Sequence, residues 1–290
     1  MKPIFLALLL VSSVSFAQNK SPKIYISVDM EGIGGIGTSK MVSSSGKDYD
    51  TGRKLMTNEV NAVVTAIYDL GPAEVMVNDS HGDMQNLLHT ELDPRVSYIQ
   101  SNIKPFGMVQ NLDASFDGVI FIGYHAMAGT ENGFLAHTGS GNVKGLWING
   151  VEVGEGGLNA YFAGALGVPV ILASGDKTFT EEIKKLISTR TVITKEAIGA
   201  SAAKLIHPDV VKKMLGEQTA AAIRDLKNAK PLMTTSPIEF VLKVESTALA
   251  DVAMGIPGIK RVDGYTVSYQ AKDMKEAYAL IRIIYKYLNW

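Results

Sequence analysis

Short apolar runs alternate along the chain with longer segments in which apolar residues recur at helical spacing. The first run, residues 24–28, leads into a glycine- and serine-rich loop, and a helical pattern follows from residue 57 to about residue 70. Short apolar runs bounded by glycine or proline are typical of buried strands, whereas recurrence at i, i+3 and i+4 is typical of amphipathic helices. The further strands predicted in this way are residues 74–78, 118–123, 170–173, 238–244 and 265–269 with a hairpin at 146–153, and the further helices are residues 157–166, 180–188, 208–228 and 273–288.

This alternation predicts an α/β fold with a mainly parallel sheet flanked by helices, and with a smaller C-terminal α/β part. We place the boundary between the two parts at residue 190. Residues 191–290 form either a separate subdomain or a continuation of the first domain. In such sheets, ligands bind beyond the carboxyl ends of the strands, so the residues that follow each strand are the first candidates for a functional site.

The first 17 residues have the pattern of a secretory signal peptide. Lys2 precedes an apolar run over residues 4–11, and the small residues Ser15 and Ala17 stand at the −3 and −1 positions of a cleavage site after Ala17. The apolar run is too short for a stable membrane span. We therefore expect an exported protein, periplasmic or secreted, that is not inserted in a membrane.

Composition excludes several classes of function. The chain has no cysteine, which rules out disulfides, cysteine–zinc clusters and a cysteine nucleophile. Its formal net charge of −1 gives no electrostatic footprint for nucleic acid, so we expect no nucleic-acid partner.

Two carboxylates follow the first predicted strand, at Asp29 and Glu31. Residues two apart in a strand point to the same side, so both side chains leave the strand end together. Their mutual repulsion and their desolvation are costly unless a positive group lies between them. The pair is either two solvent-facing loop carboxylates or half of a metal site.

The other strand ends supply matching side chains. His81 follows the second strand, His125 follows the third, and Glu155 follows the hairpin at the start of a helix. Each residue alone would more often be structural or solvated, but their joint placement at one edge of a sheet favours a metal site. Two imidazoles and three carboxylates suit zinc or a similar divalent ion. Five ligands exceed the need of one catalytic zinc, but they suit two ions that share a bridging carboxylate and a water.

The segments around these residues resemble one protein family. They are Ser27-Val28-Asp29-Met30-Glu31-Gly32, Val77-Asn78-Asp79-Ser80-His81, Phe121-Ile122-Gly123-Tyr124-His125 and Val153-Gly154-Glu155. They resemble the zinc-dependent D-aminopeptidases, which are typified by the enzyme encoded with bacterial dipeptide-transport genes. The resemblance continues through residues 157–161, 175–176 and 270–274, and so covers nearly the whole chain after the signal peptide.

The resemblance implies a ligand set for two Zn²⁺ ions per subunit, with Asp29 as the bridge. The implied ligands are Asp29, Glu31, His81, His125 and Glu155. It further implies removal of N-terminal D-residues from short peptides. The resemblance also implies assembly into a ring-shaped homo-oligomer, a decamer, whose active sites face an inner chamber.

Three further residues have two interpretations each. His137 matches the family's catalytic histidine that is not a ligand, and near two zinc ions its neutral imidazole can take a proton from water; it can also simply hold a loop. Asn159 either hydrogen-bonds substrate or is a helix-surface amide. Asp79 either orients the ligand His81 or forms a turn.

The glycine-rich segment 32–37 satisfies a G-x-G-x-x-G pattern directly after a strand. A dinucleotide site needs a helix that opens at the last glycine, and residues 38–46 contain four serines, a threonine and no apolar stripe. We therefore expect a flexible loop beside the metal site here, without nucleotide binding.

The sequence thus predicts a metal-binding catalytic domain over residues 18–190 in an exported binuclear zinc aminopeptidase. A metal-activated water would attack the scissile carbonyl and release the N-terminal residue, a D-residue by the family resemblance. The alternatives are another two-metal hydrolase, either an amidohydrolase or a phosphoesterase, or a non-catalytic protein that binds metal or peptide. The absence of a lysine and arginine cluster near the ligand segments argues against phosphate substrates.

Overall fold

The computed structural model describes residues 21–288 of the 290-residue chain. The predicted signal peptide lies outside the described residues. The strands are β1 (Lys23–Val28), β2 (Glu74–Asp79), β3 (Ser97–Ile99), β4 (Gly118–Tyr124), β5 (Val143–Ile148), β6 (Val151–Glu152), β7 (Val170–Asp176), β8 (Arg190–Gly199), β9 (Ala202–Leu205), β10 (Ile238–Val244), β11 (Lys260–Arg261) and β12 (Thr266–Ala271). The helices are α1 (Tyr49–Tyr68), α2 (Glu155–Ala165), α3 (Lys177–Leu186), α4 (Pro208–Arg224), α5 (Thr247–Ala253) and α6 (Met274–Arg282), which a π-helical turn (Ile283–Tyr287) continues.

The larger sheet has seven strands in the order β3-β2-β1-β4-β7-β8-β9. Every neighbouring pair is parallel except β8 and β9. The carboxyl ends of β1, β2, β4 and β7 therefore lie at the same edge, and β1 runs between β2 and β4. This arrangement confirms the predicted α/β fold with a mainly parallel sheet.

Strand β1 is covered on both faces. Ile24, Ile26 and Val28 pack in one apolar core with helices α1 and α4, whereas Tyr25 packs in a second core with α2 and the smaller sheet. Burial on both faces explains why the central strands read as continuous apolar runs rather than as alternating ones.

The smaller sheet has five strands in the order β11-β12-β10-β5-β6, and all its neighbouring pairs are antiparallel. Helix α6 packs against β10 and β12 and also against α2. Through these contacts the C-terminal helix reaches the helix that begins with Glu155.

The division at residue 190 stays a prediction. Strands β8 and β9, which begin at or after that residue, belong to the larger sheet. Strands β5 and β6, which precede it, belong to the smaller sheet. The chain thus passes from one sheet to the other more than once.

Several elements differ from the sequence-based expectation. Helix α1 begins at Tyr49, eight residues before the predicted start, and β3, β8, β9, β11 and α5 were not predicted. Among residues 21–288, no helix is long and apolar enough to cross a membrane.

Candidate active site

Asp29 and Glu31 lie at the carboxyl end of β1 and are almost fully buried. The backbone N–H of Asp29 donates to the Ile122 carbonyl oxygen at 2.8 Å, and that of Gly32 donates to the Gly123 carbonyl oxygen at 2.8 Å. A Cβ on Gly32 would lie 1.9 Å from the carbonyl oxygen of Tyr124, so only glycine allows this close approach to β4. The glycine therefore fixes the direction in which Glu31 leaves the chain.

His81 completes the first group of candidate ligands. Its Nε2 lies 2.7 Å from the carbonyl oxygen of Val42, so this nitrogen carries the proton and donates. The lone pair of Nδ1 then faces the two carboxylates, with Oδ1 of Asp29 at 3.2 Å and Oε2 of Glu31 at 3.0 Å. The structure therefore brings Asp29, Glu31 and His81 together as one possible metal-binding group.

A second group shares Asp29 with the first. The Nδ1 of His125 lies 2.9 Å from the carbonyl oxygen of Ala126 and donates to it. Its Nε2 faces Oδ2 of Asp29 at 3.4 Å and Oε2 of Glu155 at 3.6 Å. Because Oε1 of Glu155 accepts from the Gly139 N–H at 2.6 Å, Oε2 is left free to face His125.

Unpaired polar atoms show that this donor set fits cations. Among residues 21–288, Oδ2 of Asp29, Oε2 of Glu31 and Nε2 of His125 are buried without a hydrogen-bond partner. Each such atom costs about 1–3 kcal/mol unless something binds it. Carboxylate oxygens and neutral imidazole nitrogens are ligands that zinc accepts, and Asp29 offers one oxygen to each group. The five residues therefore fit divalent ions such as zinc.

The protonation of the cluster reflects the crowding of its charges. Burial, followed by the neighbouring Glu31 carboxylate, raises the pKa of Asp29 to about 7. Burial disfavours the charged form of His125, but the carboxylates of Glu155 and Asp29 outweigh it and raise the pKa of His125. Burial also opposes ionisation of Glu155, but when His125 is charged in this way, its charge and hydrogen bond outweigh that burial and lower the pKa of Glu155 to about 2. A metal ion would instead bind the neutral form of His125. A dication between these groups would favour the ionised form of every carboxylate.

His137 lies on the more open side of the cluster. Its ring stacks on that of His125 with centroids 4.1 Å apart, and its side chain is 31% exposed. Its Nδ1 contacts the Leu135 carbonyl oxygen at 2.9 Å, and its Nε2 lies 3.5 Å from Oε1 of Glu155. Leu135 adopts a φ of 50°, which a branched residue rarely does, and this backbone conformation presents its carbonyl to His137.

The structure excludes a helix-surface amide at Asn159, whereas its contact with substrate stays a prediction. Its side chain is fully buried, Nδ2 donates to the Tyr124 hydroxyl at 2.9 Å, and Oδ1 accepts from the Tyr278 hydroxyl at 2.9 Å. The Tyr124 hydroxyl in turn lies 2.7 Å from Oγ of Ser27. In this arrangement the amide braces β1, β4, α2 and α6 beneath the ligands, and no part of it faces solvent.

Asp79 organises the loop that carries His81. Its Oδ2 accepts from the N–H groups of Asn86 and Leu87 at 2.6 and 2.8 Å, and its Oδ1 accepts from Nδ2 of Asn86 at 2.7 Å. The same Nδ2 donates to the carbonyl oxygen of His81. These contacts agree with the turn-forming interpretation of Asp79.

The segment expected to be a flexible rim is instead packed in the interior. Oε1 of Glu59 accepts from the Gly34 N–H at 2.6 Å, and Oγ1 of Thr194 donates to the Gly32 carbonyl oxygen at 2.5 Å. The ammonium group of Lys195 donates to the carbonyl oxygens of Glu31 and Ile36. Only a single 3₁₀ turn, Ser39–Met41, follows Gly37, and the first α-helix, α1, begins at Tyr49. Sequence reasoning missed Lys195 because it lies in the unpredicted strand β8.

Two openings reach the cluster. A groove of ≈ 660 Å³ runs past Glu31 and His137 and is lined largely by small and apolar side chains, including Val42 and Leu135. A cavity of ≈ 90 Å³ contacts Asp29, His81 and Glu155, and its wall includes Arg282 and Lys286. The sequence has no cluster of lysines and arginines near the ligand segments; the structure brings these two cations from the far end of the chain.

Comparison with known proteins agrees with this geometry. The profile of a family described as D-aminopeptidase (peptidase family M55) matches residues 23–283. A D-aminopeptidase of Bacillus subtilis (strain 168) is 40% identical over 266 residues, which cover 90% of this chain and 96% of that protein. A solved structure of the Zn-dependent D-aminopeptidase DppA from Bacillus subtilis, described as a self-compartmentalizing protease, superposes with a TM-score of 0.89 at 37% identity. That match covers 92% of this chain and 99% of the other.

Proposed function

The chain belongs to the D-aminopeptidase family, and from that premise we propose that it is an exported enzyme that uses two zinc ions to release N-terminal D-amino acids from short peptides. Membership of this peptidase family confirms the resemblance found in the sequence. The observation that carries the proposal for this chain is the pair of ligand groups that share Asp29 and leave buried atoms unpaired.

A backbone contact orients each of the two candidate histidine ligands. The hydrogen bonds from His81 to Val42 and from His125 to Ala126 fix the tautomers that leave Nδ1 and Nε2, respectively, free. In the proposal, Asp29, Glu31 and His81 hold one ion, and Asp29, His125 and Glu155 hold the other. Two zinc ions held there would lower the pKa of a shared water and polarise the scissile carbonyl.

His137 is the candidate group for proton transfer. It lies beside the cluster, is more exposed than the ligands, and has Nδ1 engaged with Leu135, so that Nε2 faces the site. A neutral Nε2 takes a proton from the attacking water and returns it to the leaving amine. The groove past His137 and Glu31 gives the peptide its path to these atoms.

The test is zinc analysis paired with hydrolysis of matched D- and L-alanyl dipeptides. We expect about two zinc ions per chain and faster cleavage of the D-dipeptide. Asp29→Asn should lose zinc and activity together, whereas His137→Gln should keep zinc and lose about 10²–10⁴-fold in kcat. Glu181→Gln, an exposed carboxylate on α3, serves as the control.

Two results would contradict the proposal. Equal rates on both dipeptides, or a faster L-dipeptide, would remove the stereochemical part, and one zinc or none would remove the two-metal part. Export is tested separately by the N-terminal residue of the protein recovered outside the cytoplasm, which should be Gln18.

A phosphoesterase remains the second candidate because Arg282 and Lys286 line the cavity beside the ligands. Hydrolysis of p-nitrophenyl phosphate, with no cleavage of D-alanyl peptides, would favour that reaction.

A further inference from the structure

The C-terminal helix closes one side of the candidate active site. Helix α6 ends at Arg282, and the next residues, Ile283–Tyr287, form a π-helical turn. Such turns are rare and frequently occur at functional sites. Here Arg282, Tyr285 and Lys286 reach the wall of the ≈ 90 Å³ cavity that also contacts Asp29 and Glu155.

The hydrogen-bond partners of Arg282, which ends α6, and of Lys286, in the turn, are all neutral. Arg282 is 2% exposed, and its nitrogens donate to the Lys104 carbonyl oxygen and to the hydroxyls of Tyr285 and Tyr287. Nζ of Lys286 donates to the Gly82 carbonyl oxygen at 2.9 Å, which leaves two of its three N–H donors. Among residues 21–288, no carboxylate oxygen lies within the 4.0 Å ion-pair distance of either cation. Arg282 is buried and Lys286 is half-buried, and the carboxylates of Asp83 and Glu155 act on Lys286 only from beyond ion-pair distance. Both cations can therefore still pair with an anion that enters the cavity.

The cavity therefore has two unlike ends. Asp29, Glu155 and His81 form the end where the scissile bond is processed, and Lys286 and Arg282 supply positive charge beside it. A short peptide is a zwitterion whose free α-carboxylate lies only a few bonds from the peptide bond of its first residue. In a cavity this small, that carboxylate is the anionic group that comes within reach of Lys286.

We propose that Lys286 binds the free α-carboxylate of the substrate, with Arg282 reinforcing the positive charge, so that the site selects very short peptides with an unmodified C terminus. The inference rests on the proposed peptidase function and adds a substrate class to it. Amidated peptides and peptides with many residues beyond the cleaved bond lack a carboxylate at this position and are poor substrates.

The test measures each enzyme variant on a substrate with a charged C terminus and on the same substrate with an uncharged C terminus. D-Ala-D-Ala and D-Ala-D-Ala amide are compared on the zinc-loaded enzyme and on Lys286→Met, Lys286→Arg and Lys272→Met. Lys272 is an exposed lysine just before α6 and serves as the control. Affinity is measured independently of turnover by calorimetry with the analogue in which a methylene-amine replaces the peptide bond, as the free acid and as the amide.

We expect amidation to weaken binding of the analogue to the native enzyme and to lower kcat/KM by about tenfold to hundredfold. In Lys286→Met the acid and the amide should differ by less than about threefold, because one partner of the ion pair is already gone. Lys286→Arg should restore most of the preference for the acid, and Lys272→Met should leave it unchanged.

Two patterns would overturn the inference: equal binding of acid and amide by the native protein, or an equal loss for both ligands in Lys286→Met, which would make Lys286 merely structural. Failure of the peptidase proposal looks different. In that case neither dipeptide is cleaved, and the calorimetric preference of the analogue for its acid form still decides the role of Lys286.

Discussion

Glu59 is a buried carboxylate of helix α1 that lies outside both ligand groups. Its Oε1 accepts from the Gly34 N–H, and its Oε2 has no hydrogen-bond partner among the described residues. Burial raises the pKa of Glu59 to about 7, although the hydrogen bond from Gly34 and the charge of Lys195 act in the opposite direction. The protonation state of Glu59 is thus coupled to the backbone of the segment that follows Glu31, through the hydrogen bond with Gly34.

We expect Glu59→Gln to flatten part of the dependence of stability on pH. An unfolded glutamate titrates near pH 4.3, whereas folded Glu59 titrates near 7, so the folded protein holds the extra proton between these values and loses stability as pH rises through them. Glutamine cannot ionise. Between pH 5 and pH 8 the native protein should therefore lose about 2–3 kcal/mol of stability that the variant does not lose. The free energy of unfolding of the variant minus that of the native protein should be larger at pH 8 than at pH 5 by this amount.

Urea denaturation of the zinc-free proteins at pH 5 and pH 8 measures this difference. Any cost of the new amide is common to both pH values and cancels. Glu181→Gln on the exposed face of α3 should show the same unfolding free energy, relative to the native protein, at both values. A difference for Glu59→Gln that does not change with pH would refute the raised pKa.

At the scale of elements, β8 supports the end of β1 across the sheet. Lys195 is fully buried, and its ammonium group bridges the carbonyl oxygens of Glu31 and Ile36. The neighbouring Thr194 holds the carbonyl oxygen of Gly32. The loop that presents Glu31 is thus fixed by backbone contacts with a strand more than 150 residues away along the chain.

Lys195→Met should therefore weaken metal binding as well as the fold. We expect a loss of about 3–6 kcal/mol in the free energy of unfolding, because two charged hydrogen bonds of about 1.5–3 kcal/mol each are removed. We also expect zinc affinity to fall by about 10–100-fold, as it does when groups that orient ligands are removed. Competition with a chelator measures the affinity, and Lys204→Met on the exposed part of β9 is the matched control. Unchanged zinc affinity in a destabilised variant would show that Lys195 does not position Glu31.

The elements that could be predicted are those whose own sequence pattern indicates that they are buried. Strands β1, β2 and β4 are dense apolar runs, and the rule that ligands gather beyond strand ends led to the residues that the structure brings together. The first turns of α1 are polar, with Tyr49 as an early apolar residue, so their helical pattern gives little signal. Strand β8 is the last parallel strand before the edge, and the adjacent buried residues Thr194 and Lys195 interrupt its alternation of buried and exposed positions. Its role depends on partners far away in sequence.

The side chains that reach the site from distant elements could not be predicted for the same reason. Lys195 and Lys286 carry no local motif, and only the packing of β8 and α6 places them beside the ligands. Asn159 was noticed because it follows Glu155, but its partners Tyr124 and Tyr278 come from β4 and α6. Spacing along the chain identifies the ligands that follow strands. It does not identify the side chains from distant elements that hold those ligands in place.

At the scale of the whole molecule, the two ends of the described chain meet at one site. Strand β1 supplies Asp29, and the turn after α6 supplies Lys286, which bonds the loop that carries His81 through Gly82. Both sheets contribute to the surroundings of the cluster, since α2 and α6 pack between them. The proposed chemistry therefore needs the complete fold rather than its first half.

The exposed surface bears on the proposed assembly into a ring-shaped homo-oligomer. Strand β9 is an edge of the larger sheet, and the β8–β9 hairpin exposes Ile198 (72%) and Leu205 (41%). Exposed apolar side chains on a sheet edge are typical of protein–protein contacts. The hairpin turn, at Ala200, also lines the groove that leads to Glu31, so a neighbouring subunit there would border the path of the substrate.

We expect light scattering after gel filtration to give a mass close to ten mature chains, as the family resemblance implies. Ile198→Asp should shift the protein toward smaller species, because an interface buries an aspartate only at a cost of several kcal/mol. Ile103→Asp is the matched control: Ile103 is equally exposed (75%) but stands in a loop away from that hairpin. A monomer at every concentration would refute the ring itself. If Ile198→Asp still forms the full-size assembly, residue 198 is not buried in an interface, and the subunits contact one another through other surfaces.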